Sequence, residues 1–368
     1  MNGDDTSLLY LGFSESDRNL YNNNKIHYNQ LINGDLKQAQ RLAKPDRCYF
    51  CGKRVTSFCN SHSIPRFCLS QIASEGKMYT PNLLIDLPIM SKEKGVNQAG
   101  TFQLICHNCD NTIFQEYENP NAYELPPNSK MLAEIALKNY LLMISKRLNE
   151  AELYKLLAQQ YANGESLLSS FQTTTALDLD EYKEDFERSK QGVLKHHEDW
   201  YYLFYFQHLD YIVPYAFQSS IALISDLEDN IINDIYMNDP KNKIKDIHLA
   251  IFPLQQSSVI VGFIDSRNKK YRKFYRQLKL LPLEQQLATL NYIVFSYSEN
   301  VFLSKSVPQE IIQNKAFIET CQKTILTLST SPSGPNIHTA IEHYSLRKRN
   351  EIPNLLDRKY ELKRPSIM

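Results

Sequence analysis

The residues of this chain whose types and spacing could do chemistry lie between Cys48 and Glu118. Cys48-x2-Cys51 and Cys106-x2-Cys109 are each a knuckle able to present two thiolates to one side of a tetrahedral ion. Together the two pairs make a closed four-sulfur zinc site, which is saturated, so its zinc holds the fold and does not activate water. Between the knuckles runs Ser61-His62-Ser63-Ile64-Pro65, with His62 on a stretch, Phe58 to Ile64, that reads as a strand. A second grouping stays open, in which Cys59 and His62 join Cys48 and Cys51 and leave Cys106 and Cys109 unpaired. Just past the last knuckle cysteine come Asp110 and Asn111, followed by Glu116 and Glu118, oxygen groups of the kind magnesium and manganese prefer.

The elements that must position these groups are coarsely readable. Residues 1–45 form a polar, Asn-rich N-terminal extension with a helix expected from Lys25 to Ala43, ended by Pro45. Residues 46–120 form the metal unit: a long insertion from Ile72 to Gly100 with short strands, Asn82 to Met90 among them, then a strand from Thr101 to Ile105 and a helix from Cys109 to Glu118. A linker at 121–126 leads into 121–368, read as a larger mixed, mainly helical domain. There Ser129 opens a helix, and Asn149 with Glu152 has capping-box spacing for a second one ending at Asn163-Gly164. A third helix is expected over Leu177 to His197, and the aromatic run Trp200 to Phe206 must be largely buried. Ile247 to Leu254 and Val259 to Ile264 read as a hairpin, Leu283–Tyr297 and Pro308–Leu328 as helices, and the tail as Ser/Pro-rich and then basic. The expected class is α+β.

At 368 residues the chain has room for two or three domains with cores of their own. Its formal net charge is +0, so any attraction to nucleic acid must come from local patches. One such patch is Lys269, Lys270, Arg272, Lys273 and Arg276, interleaved with Tyr271, Phe274 and Tyr275, where cations for phosphates meet rings for stacking. The same pattern equally describes a solvated amphipathic helix with its rings in the core. The basic tail, Ser345 to Met368, reads as a partner or phosphate contact or as an unstructured end. His196-His197 beside Glu198 and Asp199 has the look of a metal patch, though the end of a helix accounts for it as well.

Seven cysteines, an odd number with paired x2 spacing, argue for reduced thiols and metal, and hence for a cytoplasmic protein. No targeting segment is visible, and the longest uncharged run, Tyr211 to Ser225, is too polar and short for a bilayer, which needs ~20 apolar residues. There is no Walker motif, dinucleotide turn or nucleophile elbow, so control by ATP would have to come from another chain.

Cys-x2-Cys-Gly-Lys, Ser-His-Ser-Ile-Pro-Arg-Phe and Leu-Ile-Cys-x2-Cys-Asp-Asn together resemble the HNH endonucleases of the ββα-metal (His-Me finger) fold, in their zinc-knuckle branch. The resemblance covers residues 46–120. It implies DNA phosphodiester hydrolysis, with His62 as the general base on water and structural zinc on Cys48, Cys51, Cys106 and Cys109. It also implies catalytic magnesium or manganese on Asp110, with Asn111 and Glu118 in support. Effectors of this kind in antiphage defence work with a sensor or ATPase partner. Three positions depart from the pattern: Ser61 stands where an Asp is usual, the loop Asn has only Thr101 or Asn97 to match it, and Asp110 replaces the last histidine. Two rivals follow, a zinc-dependent nucleic-acid-binding or scaffolding module without catalysis, and an RNase.

Overall fold

The computed structural model describes residues 25–80, 93–160, 164–195, 199–237, 242–298, 300–323 and 336–363. The strand expected at 82–90 and the His196-His197 patch lie outside these residues. In chain order the elements are α1 (Lys25–Leu42), β1 (Ser61–His62), α2 (Arg66–Ile72), β2 (Lys77–Tyr79), β3 (Glu93–Gly95), β4 (Thr101–Phe102), α3 (His107–Ile113), α4 (Ser129–Gln160) and α5 (Gly164–Lys195). Then follow β5 (Tyr201–Leu209), β6 (Tyr215–Ile221), β7 (Ile247–Pro253), β8 (Ser258–Asp265), α6 (Arg272–Leu280), α7 (Leu283–Tyr297), β9 (Val301–Leu303), α8 (Gln309–Ile312), α9 (Lys315–Cys321) and α10 (Ile337–Tyr344).

Two compact units form, and they do not follow chain order. Among the described residues one, the knuckle unit, comprises 25–63 and 100–201; the other, the sheet unit, comprises 64–99 and 202–363. The stretch 46–120 therefore contributes to both.

In the knuckle unit α4 is the central element, with α1 and α5 packed against it. From Met131 to Leu142 its apolar residues point all round and are buried, as a helix surrounded by others requires. It runs unbroken past Asn149, where the sequence reads as a new start. An interior Asn costs only about 0.7 kcal/mol of propensity, and Arg147, bonded to Glu150 on α4 and 2.9 Å from Asp178 on α5, ties the continued helix to its neighbour. The expected linker at 121–126 is pinned: Pro120–Glu124 is a 3-10 turn whose buried Tyr123 donates its hydroxyl to the Tyr117 carbonyl at 2.7 Å.

The sheet unit is built on a seven-stranded sheet in the order β3-β2-β9-β6-β7-β8-β5. β7 and β8 form the expected hairpin, from His248↔Phe263 to Pro253↔Ser258, closed by Leu254 N–H to the Ser257 carbonyl at 2.8 Å. Every residue of β6 and β7 is buried. α2 packs on these two strands, and β2 and β3 extend the sheet, which is why residues 64–99 belong here. The helix expected over 308–328 divides into α8 and α9, because Asn314 caps the second with its side-chain oxygen on the Phe317 N–H at 3.0 Å. At Gly262 a Cβ would meet Phe204 Cζ at 2.9 Å, so β5 seats its ring where β8 has no side chain.

Candidate metal centre and the buried ionic network beside it

The first knuckle is a tight turn. Gly52 donates its N–H to the Cys48 carbonyl at 2.8 Å and takes a φ of +69°, which suits glycine, while Cys48 N–H reaches the Lys53 carbonyl at 2.9 Å. The second knuckle enters α3, whose N-cap is Cys106. Tyr49 N–H to the Leu104 carbonyl at 3.0 Å and Cys106 N–H to Cys48 Sγ at 3.3 Å join the two. All four sulfurs lie within 4.8 Å of one another. Tetrahedral zinc with Zn–S bonds of ~2.3 Å needs sulfurs roughly 3.8 Å apart, so the donor set fits a closed zinc site. Burial pushes the Cys48 and Cys109 thiols up, so zinc must displace their protons and its affinity rises with pH.

Cys59 takes no part in that cluster. Its S–H donates to Asp110 Oδ2 at 3.1 Å, and burial together with the neighbouring carboxylate pushes the thiol up to about 12. The grouping of Cys59 and His62 with the first knuckle is therefore not the one that forms.

β1 and β4 are regular over only two residues each, Ser61↔Phe102 and His62↔Thr101. The pairing nonetheless extends on both sides, through Cys59 N–H to the Ile105 carbonyl at 2.8 Å and Ser63 N–H to the Gly100 carbonyl at 2.8 Å. This short ladder brings the histidine motif beside the second knuckle. Ser61 is buried, and its hydroxyl donates to Asp110 Oδ1 at 2.5 Å. Because side chains alternate along a strand, His62 leaves β1 on the face opposite Ser61, where it is half-buried.

The partner of this cluster was not visible from motif spacing. Lys138, in the middle of α4 and fully buried, sends its ammonium to Ser61 Oγ at 2.9 Å, Asp110 Oδ1 at 3.1 Å and Glu118 Oε1 at 3.2 Å. The Phe114 ring lies 3.5 Å from the same nitrogen. One helical turn earlier, the buried Glu134 accepts the Tyr117 N–H at 3.0 Å, with the Lys130 ammonium 3.9 Å from its other oxygen. Burial raises the Glu134 carboxyl to about 7. Burial acts in the same sense on Asp110, but Lys138 and the Ser61 and Cys59 donors outweigh it and hold that carboxyl below its usual range. The sequence does carry a signal for this pair. Glu134 and Lys138 are spaced i, i+4 inside a helix apolar on every side, so they cannot reach solvent and must meet polar partners.

The oxygen groups expected to hold magnesium or manganese do not converge on a free position. α3 ends at Ile113, short of the expected Glu118, which follows in a further turn with its N–H on the Phe114 carbonyl at 3.0 Å. Asn111 is exposed. Asp110 accepts from Lys138, and Glu118 pairs with the same ammonium at 3.2 Å. A divalent ion needs oxygen contacts of ~2.0–2.1 Å on those atoms. With an ammonium some 4 Å away it meets a repulsion of about 8 kcal/mol, twice the unit-charge value at an effective dielectric of about 20. These residues do not fit a divalent ion while Lys138 is in place.

The basic segment is anchored through its rings. Tyr271 and Phe274 are fully buried, and Tyr275 stacks on Phe204 with ring centroids 5.8 Å apart, so these rings serve the core and not a base. Lys273 pairs with Glu228 at 2.6 Å, and Lys270 reaches the Lys243 carbonyl at 2.9 Å. Lys269, Arg272 and Arg276 are exposed. The basic tail is folded through residue 363, with Arg347 on Asp229 at 2.9 Å and Arg358 paired with Asp210.

Among the described residues no helix is long and apolar enough to cross a membrane. Comparison with family models, with curated proteins and with solved structures finds no match to this chain.

Proposed function

We propose that the chain is a zinc-stapled phosphodiesterase of the HNH type acting on nucleic acid, with DNA as the expected substrate and His62 as the general base on the attacking water. One observation carries this reading. Beside the closed cysteine cluster, the strand that bears His62 is bonded to the start of the Asp110 helix, with Ser61 Oγ and Asp110 Oδ1 2.5 Å apart. Zinc bound to four thiolates supplies rigidity and no chemistry. Ser61, Asp110 and Lys138 then fix β1 from its buried face, and the imidazole works from the other face. A neutral imidazole suits proton removal near pH 7. Control by an associated sensor or ATPase, as in antiphage effectors, rests on the resemblance alone.

A second reading is favoured by the Lys138 network. With Asp110 and Glu118 taken up by an internal cation, the same module serves as a zinc-dependent nucleic-acid-binding or scaffolding piece. Supercoiled plasmid and single-stranded RNA incubated with the zinc-loaded chain, with magnesium, with manganese and with neither, decide between them. Nicking that disappears in His62→Ala supports the nuclease, and cutting of the RNA alone makes it an RNase. Equal activity in the variant, or none in either protein, leaves the binding module.

A further inference from the structure

The ammonium of Lys138 is held as a bound ion would be. Three oxygens, Ser61 Oγ, Asp110 Oδ1 and Glu118 Oε1, lie 2.9, 3.1 and 3.2 Å from its nitrogen, and the Phe114 ring covers it at 3.5 Å. Those oxygens come from β1, α3 and the turn after α3, the segments that the cysteine cluster draws together. The lysine comes from elsewhere in the chain, from α4, and its stem is surrounded by apolar helix. A fully buried ammonium without counter-charges is strongly unfavourable, so Lys138 requires this oxygen set.

We infer that Lys138 is the resident cation of the Ser61–Asp110–Glu118 oxygen set, standing where the resemblance would put magnesium or manganese, and that it excludes divalent ions from that position. The inference concerns the same strand and helix as the proposed nuclease but does not depend on cutting. If the chain hydrolyses phosphodiesters, it does so without a divalent ion at Asp110. The lysine is a positioning residue: it neutralises the carboxylates and fixes β1 against α3.

Manganese binding to the zinc-loaded full chain, followed by electron paramagnetic resonance, tests this in the wild type, in Asp110→Asn, in Lys138→Met and in the double variant. The wild type is expected to show no manganese site that depends on Asp110. Lys138→Met keeps the apolar stem, removes the charge, and is expected to bind manganese at least about tenfold more tightly, with the gain lost in the double variant. A wild-type site abolished by Asp110→Asn overturns the inference. So does a Lys138→Met variant that keeps its zinc and its helical signal yet gains no binding.

If Lys138→Met fails to fold, the side-chain ammonium of the wild type is read instead by nitrogen-15 nuclear magnetic resonance. A slowly exchanging lysine signal that shifts in Glu118→Gln supports the inference, and its absence overturns it. A chain that cuts nothing yet excludes manganese removes the nuclease reading and keeps this one. A chain that cuts only with manganese bound through Asp110 does the reverse.

Discussion

In the sheet unit every residue of β6 and β7 is buried, and α7 lays a nearly continuous buried run, Leu287 to Ser296, beside aromatic and aliphatic neighbours. The knuckle unit instead buries an ammonium, a hydroxyl and two of four clustered thiols, with two partly buried carboxylates against them. The difference is one of condition. Apolar burial holds across ordinary pH and metal concentrations, because it depends on area removed from water. A polar interior holds only while every charge has its partner, so it responds to metal, to protons and to single-atom changes.

The largest effect expected is from metal. Chelation, or Cys109→Ser, removes a site of a kind worth about 10–16 kcal/mol of apparent folding energy in small zinc domains. Amide hydrogen exchange should then lose protection across β1, β4 and α3, while β7 and β8 keep theirs. Protection retained in the knuckle unit would break the comparison.

Next comes the sheet. Phe217→Ala empties a fully buried position in β6, and about 3–5 kcal/mol should be lost in urea denaturation whether or not zinc is present.

Glu134→Gln sharpens the contrast with the opposite sign. The Glu134 carboxyl is raised to about 7, so the folded chain binds its proton more tightly than the unfolded chain does. Stability contributed by this group is therefore present at low pH and falls as pH rises between the unfolded value and about 7. The amide stays neutral and keeps an acceptor for Tyr117, so the variant should be more stable at pH 8, by about 3 kcal/mol, and match the wild type only below about pH 4. Asp110 runs the other way: its carboxyl is depressed, so its contribution is present above the usual carboxylate range and is lost as pH falls through it.

The smallest effect is on the surface. Lys273→Ala breaks an exposed pair to Glu228 and a longer contact to the buried Asp226 and should leave the urea denaturation midpoint nearly unchanged. If this face of α6 touches a nucleic acid, each cation removed among Lys269, Arg272 and Arg276 lowers the salt dependence of binding by about one unit of slope.

The cysteine cluster was legible because Cys-x2-Cys spacing is a local signal tied to one geometry, and the β7–β8 hairpin and α7 because their apolar patterns are strong and bounded by turns. Residues 72–100 looked like an insertion in a metal unit because no periodicity there reveals which sheet β2 and β3 will join; that is decided by pairing with β9, far along the chain. Lys138 escaped notice for a related reason. Motif spacing finds ligands that are near in sequence, and this cation arrives from a helix whose apolar pattern hides it. The rings of the basic segment misled in the opposite direction, since Tyr271, Phe274 and Tyr275 are periodic with the core and not with the exposed cations.

The hydrogen bond from Ser63 to Gly100 closes the neck of an excursion: the chain leaves the knuckle unit after residue 63 and re-enters it at residue 100. Neither unit can therefore be made as one uninterrupted fragment. A shortened protein stopped at residue 120 would keep all four thiols but would strand two acids without their ammonium and leave β2 and β3 with no sheet to join. Dissection is better attempted by bridging 63 to 100 with a short loop and keeping everything through residue 201.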